Sequence, residues 1–289
     1  MNVRSDVKLS GDLAMSTVQL KVGDRARLTD YYQRALGLEV LSENSESTIL
    51  GRGTTHLVQL NDGKGLQLPA HSEAGLFHTA LLFEDRSDLA ATVYTAAQYN
   101  PHSFVGSSDH LVSEAFYFTD PEGNGIELYF DRPRDTWTWR GEHVAMDTIA
   151  LDPNDYLQTH LNENALQTQV EAAAAVGHVH LQVGDVATAK DFYVDTLGFD
   201  ITSQLGDQAL FVSAGGYHHH MAMNVWNSRG AGPRHDTLGL GEVLIQLPHA
   251  DEVGQLAERL SYAGIEHHHT GAELRFGDPW RNRLRVAVA

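Results

Sequence analysis

An α+β fold made of four β-α-β-β-β modules is predicted for this 289-residue chain by three observations. The first is an internal repeat, the feature to seek before any other. "LKVGDRARLTDYYQRALGLEV" (Leu20 to Val40) aligns without a gap with "LQVGDVATAKDFYVDTLGFDI" (Leu181 to Ile201). The second is a pair of weaker strand-then-helix copies, "FHTALLFEDRSDLAATVYTAA" (Phe77 to Ala97) and "GEVLIQLPHADEVGQLAERLSYAG" (Gly241 to Gly264). The third is a shared hairpin that closes each weaker copy. "YFTDPEGNGIELYF" (Tyr117 to Phe130) and "FGDPWRNRLRVAV" (Phe276 to Val288) both carry Asp-Pro, with Asn four residues after the Asp.

These patterns place modules at about 16–70, 75–132, 176–228 and 238–289. An N-terminal pair therefore covers 16–132 and a C-terminal pair 176–289, joined by a linker over 133–175. Each module opens on a strand and continues into a helix. In the first, Leu28, Tyr31, Tyr32, Ala35 and Leu36 fall at helical spacing; in the third, Ala189, Phe192, Tyr193, Thr196 and Leu197 do so. Gly37 and Gly198 stand where a helix C-cap is expected. The linker stretch 154–175 reads as helical, with its alanines and with Leu157, Leu161 and Leu166 as contacts.

The 38 acidic and 20 basic side chains give a net charge of -18, without the basic face a nucleic-acid partner requires. No apolar run approaches the ~20 residues that cross a bilayer, and the first fifteen residues lack a signal-peptide pattern. A cytoplasmic location is expected. The absence of cysteine excludes disulfides, thiolate catalysis and Cys-ligated clusters, so any transition-metal site must use carboxylates and some of the 17 histidines.

Strand alternation sorts side chains by face. In the third module's first strand Val179, Leu181 and Val183 share one face, and His178, His180 and Gln182 the other. In the second module Thr79, Leu81 and Phe83 oppose His78, Ala80 and Leu82. In its last strand Ile126, Leu128 and Phe130 oppose Glu127 and Tyr129. In the third module's last strand Met221, Met223 and Val225 oppose His218, His220 and Asn224. The apolar set must meet the helix; the polar set faces away from it.

Four such modules, with the Asp-Pro hairpin and "GGYHHHMAMNVW" (Gly215 to Trp226), resemble the vicinal oxygen chelate superfamily. That superfamily contains glyoxalases, extradiol dioxygenases and the bleomycin-resistance proteins. The likeness is strongest to the catechol-2,3-dioxygenase type. It implies that modules pair into two cupped mixed sheets, with a metal held on the concave face. The family's metal positions fall on Thr17, His78, His178 and Glu242 in the first strands. In the last strands they fall on Gln59, Glu127, Asn224 and Arg285.

Two pairings are open. Joining modules one with two and three with four gives His78 with Glu127 in one cup and His178 with Glu242 in the other, neither a full set. Joining two with three and one with four brings His78, Glu127 and His178 together, with Asn224 at the fourth position. The other cup then holds Thr17, Gln59, Glu242 and Arg285, the last two available as an ion pair. Two imidazoles and one carboxylate form the facial triad of non-haem Fe(II) oxygenases; Mn(II) suits the same set. The resemblance implies an extradiol ring-cleaving dioxygenase acting on a small aromatic diol and O2, with Tyr117, His110 and His220 beside the metal. It also implies a homo-oligomer. The alternatives are a glyoxalase-like metal-dependent isomerase or lyase and a metal-free binding protein of the bleomycin-resistance type. His180 on its own reads as a hydrogen-bonded core residue, and "HHHT" (His267 to Thr270) as an exposed strand or turn.

Overall fold

The computed structural model describes residues 8–289; residues 1–7, part of the segment inspected for a signal peptide, lie outside the described residues. Module one comprises β1 (Ala14–Val22), α1 (Arg25–Leu36), β2 (Glu39–Glu43), β3 (Ser47–Arg52) and β4 (Thr55–Asp62). Module two comprises β5 (Gly75–Phe83), α2 (Arg86–Tyr99), β6 (Phe104–Asp109), β7 (Ser113–Thr119) and β8 (Gly125–Asp131). The connection carries short strands β9 (Trp139–Arg140), β10 (His143–Val144) and β11 (Ile149–Ala150), then helices α3 (Pro153–His160) and α4 (Glu163–Gln167). Module three comprises β12 (Ala174–Gln182), α5 (Val186–Lys190) continuing as a π-helical segment over Asp191–Thr196, β13 (Asp200–Leu205), β14 (Ala209–Ser213) and β15 (Met221–Asn224). Module four comprises β16 (Gly239–Leu247), α6 (Ala250–Tyr262), β17 (His267–His269), β18 (Glu273–Gly277) and β19 (Arg283–Val288).

Modules two and three share a nine-stranded sheet of order β11-β6-β7-β8-β5-β12-β15-β14-β13, joined by antiparallel β5 and β12. Modules one and four share an eight-stranded sheet of order β17-β18-β19-β16-β1-β4-β3-β2, joined by antiparallel β1 and β16. In every module the first and last strands are parallel neighbours, a pairing that requires the intervening crossover. Helix-side residues of both sheets, among them Val18, Leu20, Leu81, Phe83, Val179, Leu181 and Val243, join Leu28, Tyr31 and Leu260 of the helices in one continuous core.

Local chemistry fixes each element. The Asp24 carboxylate caps α1 by accepting from the Arg27 amide, and Gly37 at φ 64° closes it in the left-handed conformation that glycine adopts freely. The Asp-Pro turns are built alike. Asp120 accepts from the amides of Glu122 and Asn124 at 2.8 and 2.9 Å, from Asn124 Nδ2 at 2.8 Å, and from the Tyr32 hydroxyl at 3.2 Å. Asp278 accepts from the amides of Trp280 and Asn282 at 2.9 and 2.8 Å, from Asn282 Nδ2 at 2.9 Å, and from the Tyr193 hydroxyl at 3.1 Å. The tyrosine comes each time from the helix of the preceding module. Sheet pairing thus joins modules two with three and one with four, while turn-to-helix bonds join one with two and three with four.

The linker departs from the single helix expected over 154–175. Leu161 ends α3, a 3-10 turn covers Gln169–Glu171, and Ala174 and Ala175 already belong to β12. Leu157 and Leu161 pack on the core, but Leu166 is exposed. Alanine is the best intrinsic helix former, but propensity yields to tertiary context, and pairing of β12 with β5 takes Ala174 and Ala175 into the sheet. The His267–His269 run is the exposed edge strand β17.

Candidate metal centre

The register of the nine-stranded sheet sets the site. Ala80 pairs with Glu127 on one side and with His178 on the other, and Tyr117 pairs with Glu127. Tyr117, Glu127, Ala80 and His178 therefore lie in one row across β7, β8, β5 and β12. His78 and His180 face each other in the next row. At the centre Ala80 contributes only a methyl group, so the longer side chains converge above it. His78 Nε2 lies 2.9 Å and His178 Nε2 3.2 Å from Glu127 Oε2, and one ligand atom from each residue falls within 4.8 Å of the others.

Two β-bulges frame this group, as bulges commonly do beside functional sites. One sits at Gly177 in β12, where a Cβ would come within 1.7 Å of the Tyr129 hydroxyl. The other sits at Phe77 in β5; its carbonyl would meet a Cβ on Gly125 at 2.0 Å, which explains the second glycine of "GNGIELYF".

Burial alone pushes the Glu127 carboxyl up, but the two imidazoles of His178 and His78 beside it outweigh burial and hold the group well below the usual carboxylate range. Burial lowers His178 to about 4, so its imidazole is neutral at physiological pH. A carboxylate and neutral imidazole nitrogens are the protonation states that metal ligation requires. His78 Nε2 is buried and makes no hydrogen bond despite its proximity to Glu127. This unpartnered nitrogen, converging with a second imidazole and a carboxylate, fits a transition metal in a two-His, one-carboxylate set.

Around the three residues lies a hydrogen-bonded shell. His110 Nδ1 donates to the Asp147 carbonyl at 2.7 Å, which leaves Nε2 to accept from the Tyr117 hydroxyl, also at 2.7 Å. Burial, then the nearby Glu127 charge, raises Tyr117 well above its ordinary value, so it stays a donor. The Tyr129 hydroxyl meets the Tyr217 hydroxyl at 2.7 Å, and Tyr217 donates to Asp131 at 2.8 Å. Asp131 also holds His218 Nε2 at 2.9 Å, while His218 and His219 meet through their Nδ1 atoms at 2.7 Å.

Alternation does not apply over Tyr217–His220, because β15 begins only at Met221. His219, which the alternation set on the far face, packs at a tilt against the His178 ring, 4.1 Å between centroids. His220 is held instead by Ser213 Oγ at 2.9 Å and packs on Tyr217. Asn224 donates to His180 Nε2 at 2.9 Å rather than joining His78, Glu127 and His178. The run "GGYHHH" signalled His219 and contains Tyr217, and alternation along β8 puts Asp131 on the face of Glu127 and Tyr129. Phe77 carried no sequence signal, since its placement depends on a bulge.

In the other cup Arg285 pairs with Glu242 at 3.2 Å, and Gln19 donates to the same carboxylate at 3.4 Å. Register corrects one last-strand equivalence. Gln59 pairs with Gln19 as Glu127 pairs with Ala80, but in module three it is Ala222, not Asn224, that pairs with His180 and so holds this position; Asn224 corresponds instead to Asn61. Asn61 accordingly donates to Gln19 Oε1 at 3.2 Å, as Asn224 does to His180.

The family profile described as Glyoxalase/Bleomycin resistance protein/Dioxygenase superfamily matches residues 14–128 and 175–286. The chain belongs to this superfamily. It is 37% identical over 275 residues to the Bacillus subtilis (strain 168) protein named catechol-2,3-dioxygenase, covering 93% of this chain and 94% of that one. It is 30% identical over 137 residues to biphenyl-2,3-diol 1,2-dioxygenase 3 of Rhodococcus globerulus, covering 45% of this chain and 72% of that one. Glyoxalase I from Zea mays shares the superfamily fold at a TM-score of 0.58 and 15% identity, covering 96% of this chain and 92% of that one. Among the described residues no helix is long and apolar enough to cross a membrane.

Proposed function

We propose that this protein is an extradiol ring-cleaving dioxygenase, of the catechol-2,3-dioxygenase type, that uses Fe(II) held by His78, Glu127 and His178. The observation that carries the reading is the convergence of those three side chains on one face of one sheet. The likeness to a protein named catechol-2,3-dioxygenase supports it over an isomerase or a metal-free binding module. Mn(II) suits the same donors. His78, Glu127 and His178 would hold the metal, which would bring both diol oxygens and O2 together and relay electrons from the diol to O2. The carbon–carbon bond beside the diol then breaks, and both oxygen atoms enter the product.

The chain's own residues do the proton and orientation work in this reading. His110, locked by the Asp147 carbonyl, presents an acceptor nitrogen to Tyr117 and can take a substrate hydroxyl proton passed through it. Tyr117, beside Glu127 in the row, orients the diol. His219, neutral because burial pushes it well below the ordinary imidazole value, walls the site on the His178 side. His220 steadies that wall through Ser213 and Tyr217. A cytoplasmic location, with a homo-oligomeric assembly, accords with this role.

The test is a catechol assay with protein loaded with Fe(II) under anaerobic conditions. A yellow ring-opened product is expected on admitting air. Protein that holds iron yet opens none of several catechols sinks the dioxygenase reading. Turnover of a thiol hemiacetal by the zinc- or nickel-loaded protein would favour the glyoxalase-like alternative.

A further inference from the structure

The bulge in β5 does more than shape the backbone. His180 pairs with His78, and Leu181 with Leu76, so Phe77 is the extra residue of the bulge. Instead of returning to the helix side, its ring packs on His78, His180 and Trp226 at 5.3, 5.0 and 5.3 Å between centroids. Trp226, two residues beyond Asn224, also packs on His180 at 5.4 Å. Its amide donates to Asn224 Oδ1 at 3.1 Å, so the same Asn that bonds His180 also anchors the tryptophan. Yet Trp226 remains 46% exposed. A large apolar ring left half open next to a buried polar cluster is the usual composition of a ligand site.

The second cup supplies an internal control. There β16 bulges at the equivalent place, because Gln19 pairs with Glu242 and Leu20 with Leu240. The extra residue is Gly241, in the place of Phe77. Two residues beyond Asn61, the counterpart of Asn224, stands Gly63 in the place of Trp226. The same fold therefore forms with glycine at both positions. The aromatic pair accompanies the His78–Glu127–His178 cluster and is missing from the cup that holds the Glu242–Arg285 ion pair.

The geometry points to Phe77 and Trp226 as a clamp that selects substrates carrying an uncharged apolar substituent on the aromatic ring. This inference rests on the dioxygenase reading for the diol half of the substrate. A diol engaged beside Glu127 and Tyr117 leaves the opposite edge of its ring free to extend over the His78–His180 row, toward the clamp. Two aromatic faces reward apolar groups there and give a carboxylate no partner.

The experiment compares 4-propylcatechol, catechol and 3,4-dihydroxybenzoate, using iron-loaded full-length protein and the variants Trp226→Ala, Phe77→Ala, Trp226→Phe and, as a control on the exposed face of α6, Tyr262→Ala. Binding is measured by titration calorimetry under nitrogen, turnover by product absorbance. Wild type should bind propylcatechol about tenfold more tightly than dihydroxybenzoate, the scale on which a few methylenes discriminate. In Trp226→Ala and Phe77→Ala the ratio of Kd values for propylcatechol and catechol should shift at least fivefold against propylcatechol. Trp226→Phe should keep most of the preference, and Tyr262→Ala all of it. A ratio within twofold of wild type in both alanine variants overturns the clamp, whatever the turnover shows. Wild-type protein that binds these compounds with the expected preference but opens none of them sinks the dioxygenase reading and leaves the clamp standing.

Discussion

Glu127 and Arg285 occupy one position in two sheets. Glu127 pairs with Ala80, two residues after His78, and Arg285 pairs with Leu244, two residues after Glu242. In one cup the position carries an anion facing two imidazoles; in the other it carries a cation facing a carboxylate. The two partner positions differ as well, with Glu242 in the place of His78 and Thr17 in the place of His178, so the second cup closes on an ion pair where the first gathers two imidazoles and a carboxylate.

The first prediction follows from that difference. Glu127→Gln, His78→Ala and His178→Ala should each lower Fe(II) affinity by more than about 100-fold, beyond the 10–100-fold typical of residues behind the ligands. Glu242→Gln should leave the metal content at the wild-type value. Elemental analysis after anaerobic loading and desalting decides it; metal retained in His178→Ala would break the pairing of modules two and three as the origin of the site.

A second prediction concerns the other cup. The Arg285 and Glu242 side chains are only 20% and 13% exposed, so Arg285→Met strands a carboxylate whose pKa burial already raises. Because Arg275 and Gln19 also reach Glu242, the expected loss is about 1–2 kcal/mol, below the cost of breaking a fully buried pair. Urea unfolding measures it, and the iron content should not change.

These two cups show how far the sequence reaches. The repeat of Leu20–Val40 at Leu181–Ile201, the alternation in first strands and the Asp-Pro hairpin locate His78, Glu127 and His178, because regular strands obey a period of two. What breaks the period is invisible to it. Phe77 faces the cup only because β5 bulges, and His219 reaches His178 only because Tyr217–His220 is not a strand. Asn224 was set two residues beyond the position of Glu127 for a related reason: parallel pairing, not local pattern, gives that position to Ala222. The linker is helical over α3 and α4, but its last two alanines, Ala174 and Ala175, go to tertiary pairing with β5.

Gly177→Ala gives a third prediction. The added methyl would sit 1.7 Å from the Tyr129 hydroxyl, which is itself held by Tyr217, and next to His178. Overpacking of this kind costs about 1–3 kcal/mol, and displacement of His178 should weaken Fe(II) binding about 10–100-fold. Tyr129→Phe removes the atom in closest conflict. The double variant should therefore recover part of the stability lost, a positive coupling that a double-mutant cycle by urea unfolding reads directly.

A fourth prediction tests the turn that positions module four. Burial lifts the Asp278 carboxyl to about 6, above the ~3.9 of an unfolded chain. Hydrogen bonds from Asn282, the Trp280 amide and Tyr193 oppose the rise without cancelling it. The sign follows. Between those two values the folded protein holds a proton that the unfolded chain has lost, so unfolding releases it. The favourable contribution is complete below about pH 4, is lost as pH rises through about 6, and stays flat above. A shift of this size corresponds to at most about 3 kcal/mol. Because many other acids titrate in the same window, the measurement is the difference between wild type and Asp278→Asn, which cannot ionise. The variant's penalty in urea unfolding should shrink by about 1–3 kcal/mol between pH 4.5 and pH 7. A penalty that is constant across that range, or that grows with pH, would mean that the four donors around Asp278 keep its carboxylate at an ordinary value despite its burial.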